Sequence, residues 1–204
     1  MLKVCGMNNE QNVLDILALK PDLMGFIFYD RSSRNCTLDP DFIRKTDFGK
    51  TKKVGVFVNE SISEIKKKYE EYSLDIVQLH GNESTEYCQT ISELGIPFIK
   101  VFSVDEEFLF EETKGFHLAT YFLFDTKGDL PGGNGIEFNW DLLLQYRGST
   151  RFLLSGGIGP EHNYSGAKEI HAACAGVDIN SKFELSPGNK NVELVRDFIG
   201  LRIS

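Results

Sequence analysis

Asp125 closes an apolar run, Tyr121-Phe122-Leu123-Phe124, and opens a loop that carries Gly128, Pro131, Gly132, Gly133 and Gly135. Such a run reads as a buried strand that delivers an acid to its C-terminal end. Beside Phe122 and Phe124 the carboxyl is expected to lose hydration, which favours its neutral, proton-donating form. The same acid could equally cap the loop through its side chain. Cys5 ends a second short run, Leu2-Lys3-Val4-Cys5-Gly6. The two-residue period of a strand puts Lys3 and Cys5 on one face. A thiol near an ammonium has a lowered pKa and can act as a base or a nucleophile, whereas a lone cysteine is otherwise an inert core residue.

Anion-binding chemistry is legible elsewhere. Ser155-Gly156-Gly157-Ile158-Gly159-Pro160 and Asp178-Ile179-Asn180-Ser181-Lys182 each end an apolar run. Glycine turns of this kind present backbone N–H groups to a phosphate. Arg34, in Arg31-Ser32-Ser33-Arg34, could clamp a carboxylate or phosphate with its guanidinium fork, or remain a solvated loop charge. Gln78 and His80 share a face at the end of Val77-Gln78-Leu79-His80, and Gly81 permits close approach to a ligand. His80, His117, His162 and His171 have no metal-ligand spacing.

Alternating strands and helices must position these groups. Strands are expected at Leu2–Met7, Leu23–Tyr29, Lys53–Val58, Asp75–His80, Pro97–Val104, Thr120–Asp125, Arg151–Ser155 and Gly176–Asn180. The helices between them are expected at Glu10–Leu19, from Asp39-Pro40, from Ser61 to Tyr72, and at Ser84–Leu94, Glu106–Lys114, Asn139–Tyr146 and Asn163–Ala173. A last helix spans Asn191–Leu201. Eight strand–helix units predict a single-domain α/β chain, a closed (β/α)8 TIM barrel over residues 1–204. A doubly wound open sheet is the rival, and the lack of Gly-x-Gly-x-x-Gly after the first strand counts against it. In a barrel the glycines after strands seven and eight form the usual phosphate site.

The composition narrows the partners. At 204 residues and 41% hydrophobic, the chain can bury a sizeable core. A net charge of -8 argues against nucleic acid or an anionic membrane as a partner, while leaving room for a local basic pocket. Cys5, Cys36, Cys88 and Cys174 form no C-x-x-C pair, so no zinc or redox signature is present and a cytoplasmic, reducing setting is expected. Met1 leads almost directly into a strand, without a visible signal peptide, and no apolar run reaches the ~20 residues of a membrane span.

Taken in order, these stretches resemble the phosphoribosylanthranilate isomerase family of tryptophan biosynthesis. The resemblance rests on Lys3-Val4-Cys5-Gly6-Met7, Gly25-Phe26-Ile27-Phe28-Tyr29 with Ser32-x-Arg34, Val54-Gly55-Val56-Phe57-Val58 and Val77-Gln78-Leu79-His80-Gly81. It continues through Phe124-Asp125-Thr126, Gly132-Gly133-x-Gly135, Leu154-Ser155-Gly156-Gly157-Ile158, Val177-Asp178 and Glu184-x-Ser186-Pro187-Gly188-x-Lys190. It implies a metal-free and cofactor-free barrel, monomeric or homodimeric, acting on a small phosphosugar–anthranilate by an Amadori rearrangement. It further implies Asp125 as general acid, Cys5 as general base, Arg34 on the anthranilate carboxylate, and Gly156, Gly157, Asn180 and Ser181 around the phosphate. Gln78, His80 and Asp178, at neighbouring strand ends, complete the expected substrate-binding set. Lys182 departs from the family's glycine, Asn134 from its Ser or Thr, and His162 from its Asn.

Three other functions fit less well. A metal-using epimerase needs several His and Asp ligands at strand ends. Indole-glycerol-phosphate synthase needs a catalytic lysine set and an N-terminal extension. A non-catalytic phosphate binder has no use for both Cys5 and Asp125. Strand geometry makes a last expectation: Lys3 and Asp178 face inward on adjoining strands and form an interior ion pair, with Lys3 the stronger influence on Cys5.

Overall fold

The computed structural model describes residues 1–126, 139–162 and 170–200. Eight apolar runs become parallel strands: β1 (Leu2–Val4), β2 (Leu23–Phe28), β3 (Lys52–Phe57), β4 (Ile76–Leu79), β5 (Phe98–Val104), β6 (Tyr121–Thr126), β7 (Phe152–Leu154) and β8 (Cys174–Ile179). Each pairs with the next, and β8 pairs with β1 to close the barrel, with Lys3 opposite Asp178. That closure removes the open-sheet alternative.

Strand alternation separates two cores. Leu23, Val54, Ile76, Ile99, Val101, Leu123, Leu153 and Ala175 fill the interior. Phe26, Phe57, Phe98, Phe102, Phe122, Phe124 and Phe152 face outward with the helices. Asp125 follows the outward Phe124, so it points inward, away from the two phenylalanines expected to desolvate it. An irregularity in the β7–β8 register falls at Gly176, where the backbone passes so close to Met1 that a Cβ would collide with its carbonyl. Beyond this point Val177 packs outward and Asp178 faces in.

Side-chain caps start the helices. Asn9 accepts from the Asn12 N–H before α1 (Glu10–Leu17), and Asp39 precedes the proline that opens α2 (Pro40–Lys45). Ser61 caps α3 (Ile62–Glu71), and Ser84 caps α4 (Thr85–Glu93). Asn191 accepts from Glu193 and Leu194 at the head of α5 (Val192–Gly200). Each such cap contributes about 1 kcal/mol.

Two expected α-helices are 3₁₀ segments instead, Phe110–Phe116 and Trp140–Gln145. In the first, the aromatic residues at 108, 110 and 116 lack the i, i+3, i+4 spacing of an α-helical stripe and pack as separate rings against Phe102 and Phe124. Most of the expected helix over 163–173, the glycine loop 132–135 with Asn134, and Leu201 lie outside the described residues. After β8 comes one 3₁₀ turn, Ser181–Phe183, then a hairpin of β9 (Glu184–Ser186) and β10 (Asn189–Lys190). No described helix is long and apolar enough to cross a membrane.

Candidate active site

The inward positions at the C-terminal ends of the strands surround a cavity that opens to solvent. Cys5, Arg34, Gln78, His80, Asp125, Gly156, Gly157, Asp178, Asn180 and Ser181 all line it. The structure therefore brings every site residue expected from sequence to one mouth.

Cys5 is buried, and Gly25 beside it leaves space for its sulfur, since a Cβ at 25 would stand 2.7 Å from Sγ. Below it Lys3 Nζ donates a 2.8 Å hydrogen bond to Asp178 Oδ2, with both side chains buried. The expected interior pair is therefore formed. Burial pulls the Lys3 ammonium down, but Asp178 and Cys5 together outweigh it and raise its pKa. Burial pushes the Asp178 carboxyl up, against the pull of Lys3. Both pKa values are thus raised, which favours the charged form of Lys3, with its two acidic neighbours, and disfavours the charged form of Asp178, where Asp125 adds to the effect of burial.

For Cys5 the sequence expectation is overturned. Burial pushes the thiol up and wins over Lys3, which lowers it, so its pKa is raised rather than lowered. Asp178 adds to the rise, and Lys190 opposes it weakly. Of the two charges in the pair, Lys3 does have the larger effect on Cys5, as expected.

Asp125 Oδ1 accepts from the Thr126 N–H at 3.1 Å, and Oδ2 lies 3.3 Å from His80 Nε2. His80 Nδ1 is in turn 3.2 Å from Gln78 Nε2. With the amide donating to Nδ1, a neutral imidazole carries its proton on Nε2, facing Asp125. Gly81 does not make room for a ligand: a Cβ there would meet the backbone and side chain of Asn59, so the glycine serves loop packing. Among the described residues, four buried side-chain atoms lack a hydrogen-bond partner: Trp140 Nε1 and, in this cavity, Gln78 Oε1, Asp178 Oδ1 and His80 Nε2, the last with only its 3.3 Å approach to Asp125. Unsatisfied buried polar atoms are rare, and their concentration here marks where a polar ligand would complete the structure.

Gly156 and Gly157 both adopt positive φ, 84° and 68°, and a side chain on Gly156 would collide with Thr126. Only glycine accepts that combination cheaply. Lys182 reaches Glu161 Oε1 at 3.2 Å, across the turn after β7. His162 Nδ1 accepts from the Gly159 N–H at 2.9 Å. Arg34 is already engaged: its Nε and Nη2 donate to Glu184 at 2.7–3.0 Å. This is neither a solvated loop charge nor a wholly free clamp.

Glu184 and Lys190 were given no role by sequence reasoning, yet they touch two cavity residues, Arg34 and Asn180. A usable signal existed. Ser186-Pro187-Gly188-Asn189 is a turn sequence, and opposite charges six residues apart on its two sides can face one another across a hairpin. Glu184 does pair with Lys190. No group of three or more His, Cys, Asp or Glu side chains among the described residues could hold a metal ion.

A closed eight-stranded barrel with an acid, a thiol and a glycine turn at one mouth has the architecture of a TIM-barrel enzyme. The chain belongs to the N-(5'-phosphoribosyl)anthranilate isomerase family, whose model matches residues 2–200; it is thus an isomerase of tryptophan biosynthesis. The N-(5'-phosphoribosyl)anthranilate isomerase of Parabacteroides distasonis is 43% identical over 98% of this chain and 91% of that protein. The Thermotoga maritima phosphoribosyl anthranilate isomerase superposes with a TM-score of 0.83 at 31% identity, over 98% and 97% of the two chains. A phosphoribosyl anthranilate isomerase solved with reduced 1-(o-carboxyphenylamino)-1-deoxyribulose 5-phosphate superposes with a TM-score of 0.79, also at 31% identity, over 97% and 95%.

Proposed function

We propose that the protein converts N-(5'-phosphoribosyl)anthranilate to 1-(2-carboxyphenylamino)-1-deoxyribulose 5-phosphate with Asp125 as general acid and Cys5 as general base. The observation that carries this reading is the inward placement of both groups at one mouth, between a glycine cradle and Arg34. Asp125 gives its proton to the furanose ring oxygen. The C1–O bond breaks as the nitrogen lone pair forms the C1=N bond of a Schiff base. Cys5 then removes the proton from C2, and the electrons of that C–H bond shift to give an enolamine. Proton return from Cys5 to C1, with loss of the C2 hydroxyl proton that restores Asp125, yields the ketone, so the step is redox-neutral.

The surroundings support these roles. When Asp125 loses its proton, the Thr126 N–H already faces Oδ1, and His80 Nε2 lies within reach of Oδ2 to balance the new charge. Lys3 and Lys190 favour the thiolate of Cys5, against the burial that disfavours it. Gly156, Gly157, Asn180 and Ser181 are assigned to the phosphate, and Arg34 to the carboxylate through the N–H groups that Glu184 leaves unused. One of the related Thermotoga maritima structures concerns a dimeric phosphoribosylanthranilate isomerase, and a homodimer is the assembly we assign by analogy.

The test is turnover of phosphoribosylanthranilate, followed by loss of its fluorescence. Cys5→Ala should abolish turnover while substrate still binds. Asp125→Asn keeps the shape and should lower kcat by about 10²-fold or more. Near-wild-type kcat in either variant overturns the assignment of that residue.

A further inference from the structure

Glu184 and Lys190 oppose each other across the β9–β10 hairpin, outside the acid–base set. Lys190 is only 1% exposed, and its ammonium donates 2.6 Å hydrogen bonds to both Glu184 Oε1 and Asn180 Oδ1. Glu184 accepts from Arg34 through both carboxylate oxygens, and from the Gly188 N–H at 3.1 Å. Burial works against each charge, yet Arg34 and Lys190 hold the Glu184 carboxyl below its ordinary pKa. A two-residue turn can close a short hairpin without such a cluster, and buried charges are costly to assemble.

What the cluster touches explains its position. A Cβ at Gly6 would stand 2.8 Å from Asn180 Oδ1 and 2.9 Å from Arg34 Cδ, so these two cavity residues meet over the same glycine. Both are held from behind by the same pair. With its oxygen bound to Lys190, Asn180 is left with its amide N–H groups for a ligand. With Nε and one Nη2 hydrogen bound to Glu184, Arg34 is left with Nη1 and the outer Nη2 hydrogen.

We propose that Glu184 and Lys190 are positioning residues that fix the spacing between the carboxylate-binding Arg34 and the phosphate-binding Asn180. The inference rests on the substrate assigned above, which carries a carboxylate at one end and a phosphate at the other. Glu184 aims Arg34 directly and touches Asn180 only through Lys190, whose own bond to Asn180 does not pass through the carboxylate. Lys190 aims Asn180 directly and Arg34 through Glu184. Glu184 therefore acts mainly on the carboxylate end and Lys190 on both ends, an asymmetry that a role in general stability would not produce.

The full-length protein is titrated calorimetrically with anthranilate and, separately, with inorganic phosphate. Glu184→Gln should weaken anthranilate about tenfold and leave phosphate within about twofold, since Lys190 still holds Asn180. Lys190→Met should weaken both by about tenfold. In each variant KM for the whole substrate should rise far more than kcat falls. If Lys190→Met does not fold, Lys190→Arg is read instead: its wider head must displace Asn180, and the loss at the phosphate end is still required. Equal weakening of both fragments in Glu184→Gln, or unchanged affinities in both variants, overturns the proposal. Absence of wild-type turnover would instead sink the assigned reaction, so the two failures are distinguishable.

Discussion

Two of the buried lysine–carboxylate pairs carry their lysine on a barrel strand, at nearly the same length and with opposite surroundings. Lys100 and Glu83 meet at 2.7 Å on the outer side of the barrel wall, and Lys3 and Asp178 at 2.8 Å inside it. The outer pair is saturated. Lys100 also donates to the Gly81 and Leu79 carbonyls, and Glu83 accepts N–H groups from Asn59 and Gly81. It locks the segments after β3 and β4 together, immediately beside His80. The inner pair is incomplete: Asp178 Oδ1 has no hydrogen-bond partner among the described residues, and a thiol lies beside the lysine. A fully satisfied buried pair is a joint, whereas an unsatisfied one on a cavity wall is held for a ligand.

Breaking the outer pair should have the largest effect on stability. Glu83→Leu leaves Lys100 buried without its counter-charge and removes the acceptor for two loop N–H groups, so urea unfolding should show a loss of about 3–5 kcal/mol. Lys3→Met should cost less, on the order of 1–3 kcal/mol. Burial already pushes the Asp178 carboxyl up, so it can take a proton once the lysine is gone. Equal losses in the two variants would erase the distinction between joint and site.

The inner pair was legible in the sequence because it follows from two simple facts. Period two puts Lys3 beside Cys5, and barrel closure puts strand eight beside strand one. The outer pair was not. Lys100 reads as one charge in an apolar strand and Glu83 as one acid in a polar loop, and only the fold brings them together across 17 residues. The same reasoning found the strand ends and the glycine turn after β7, because a glycine pair and an acid after an apolar run are local signals. It named the wrong neighbours for Asp125, which is buried as expected: Phe122 and Phe124 are near in sequence but lie on the outer face of the wall. It misjudged the thiol of Cys5 as well: the attraction of Lys3 could be read from spacing, but the depth of burial that outweighs it could not. The first 3₁₀ segment, Phe110–Phe116, was missed for a related reason, because aromatic packing and not helical periodicity fixes its shape.

The rate of Cys5 alkylation against pH probes the inner pair more finely. Cys88 and Cys36 are also buried, with thiols pushed up to about 11, so the Cys5 signal is isolated in a Cys36→Ala, Cys88→Ala background. Cys174 is buried too, on β8, and is followed as its own modified peptide by mass spectrometry. Lys3 lowers the thiol pKa, so Lys3→Met should move the alkylation curve to higher pH, by more than any other change near the pair. The acid limb of kcat/KM should move with it, because the base must lose its proton to act.

Asp178→Asn should produce the smaller shift, in the opposite direction. Asp178 raises the thiol pKa, so its removal favours the thiolate. A counter-effect limits the gain. Asp178 is the leading support for the Lys3 charge against burial, and without it the ammonium is easier to deprotonate. Cys5 is the other group that holds Lys3 charged, so a thiolate replaces the lost carboxylate as the lysine's partner. The two groups then titrate as one coupled unit, and the curve should both move down and broaden. A curve that moves up in Asp178→Asn would mean that Lys3 has lost its proton, and that the carboxylate matters to Cys5 only through the lysine. Three superimposed curves would mean that the pair does not tune the thiol at all, and the inner pair would then be a joint like the outer one.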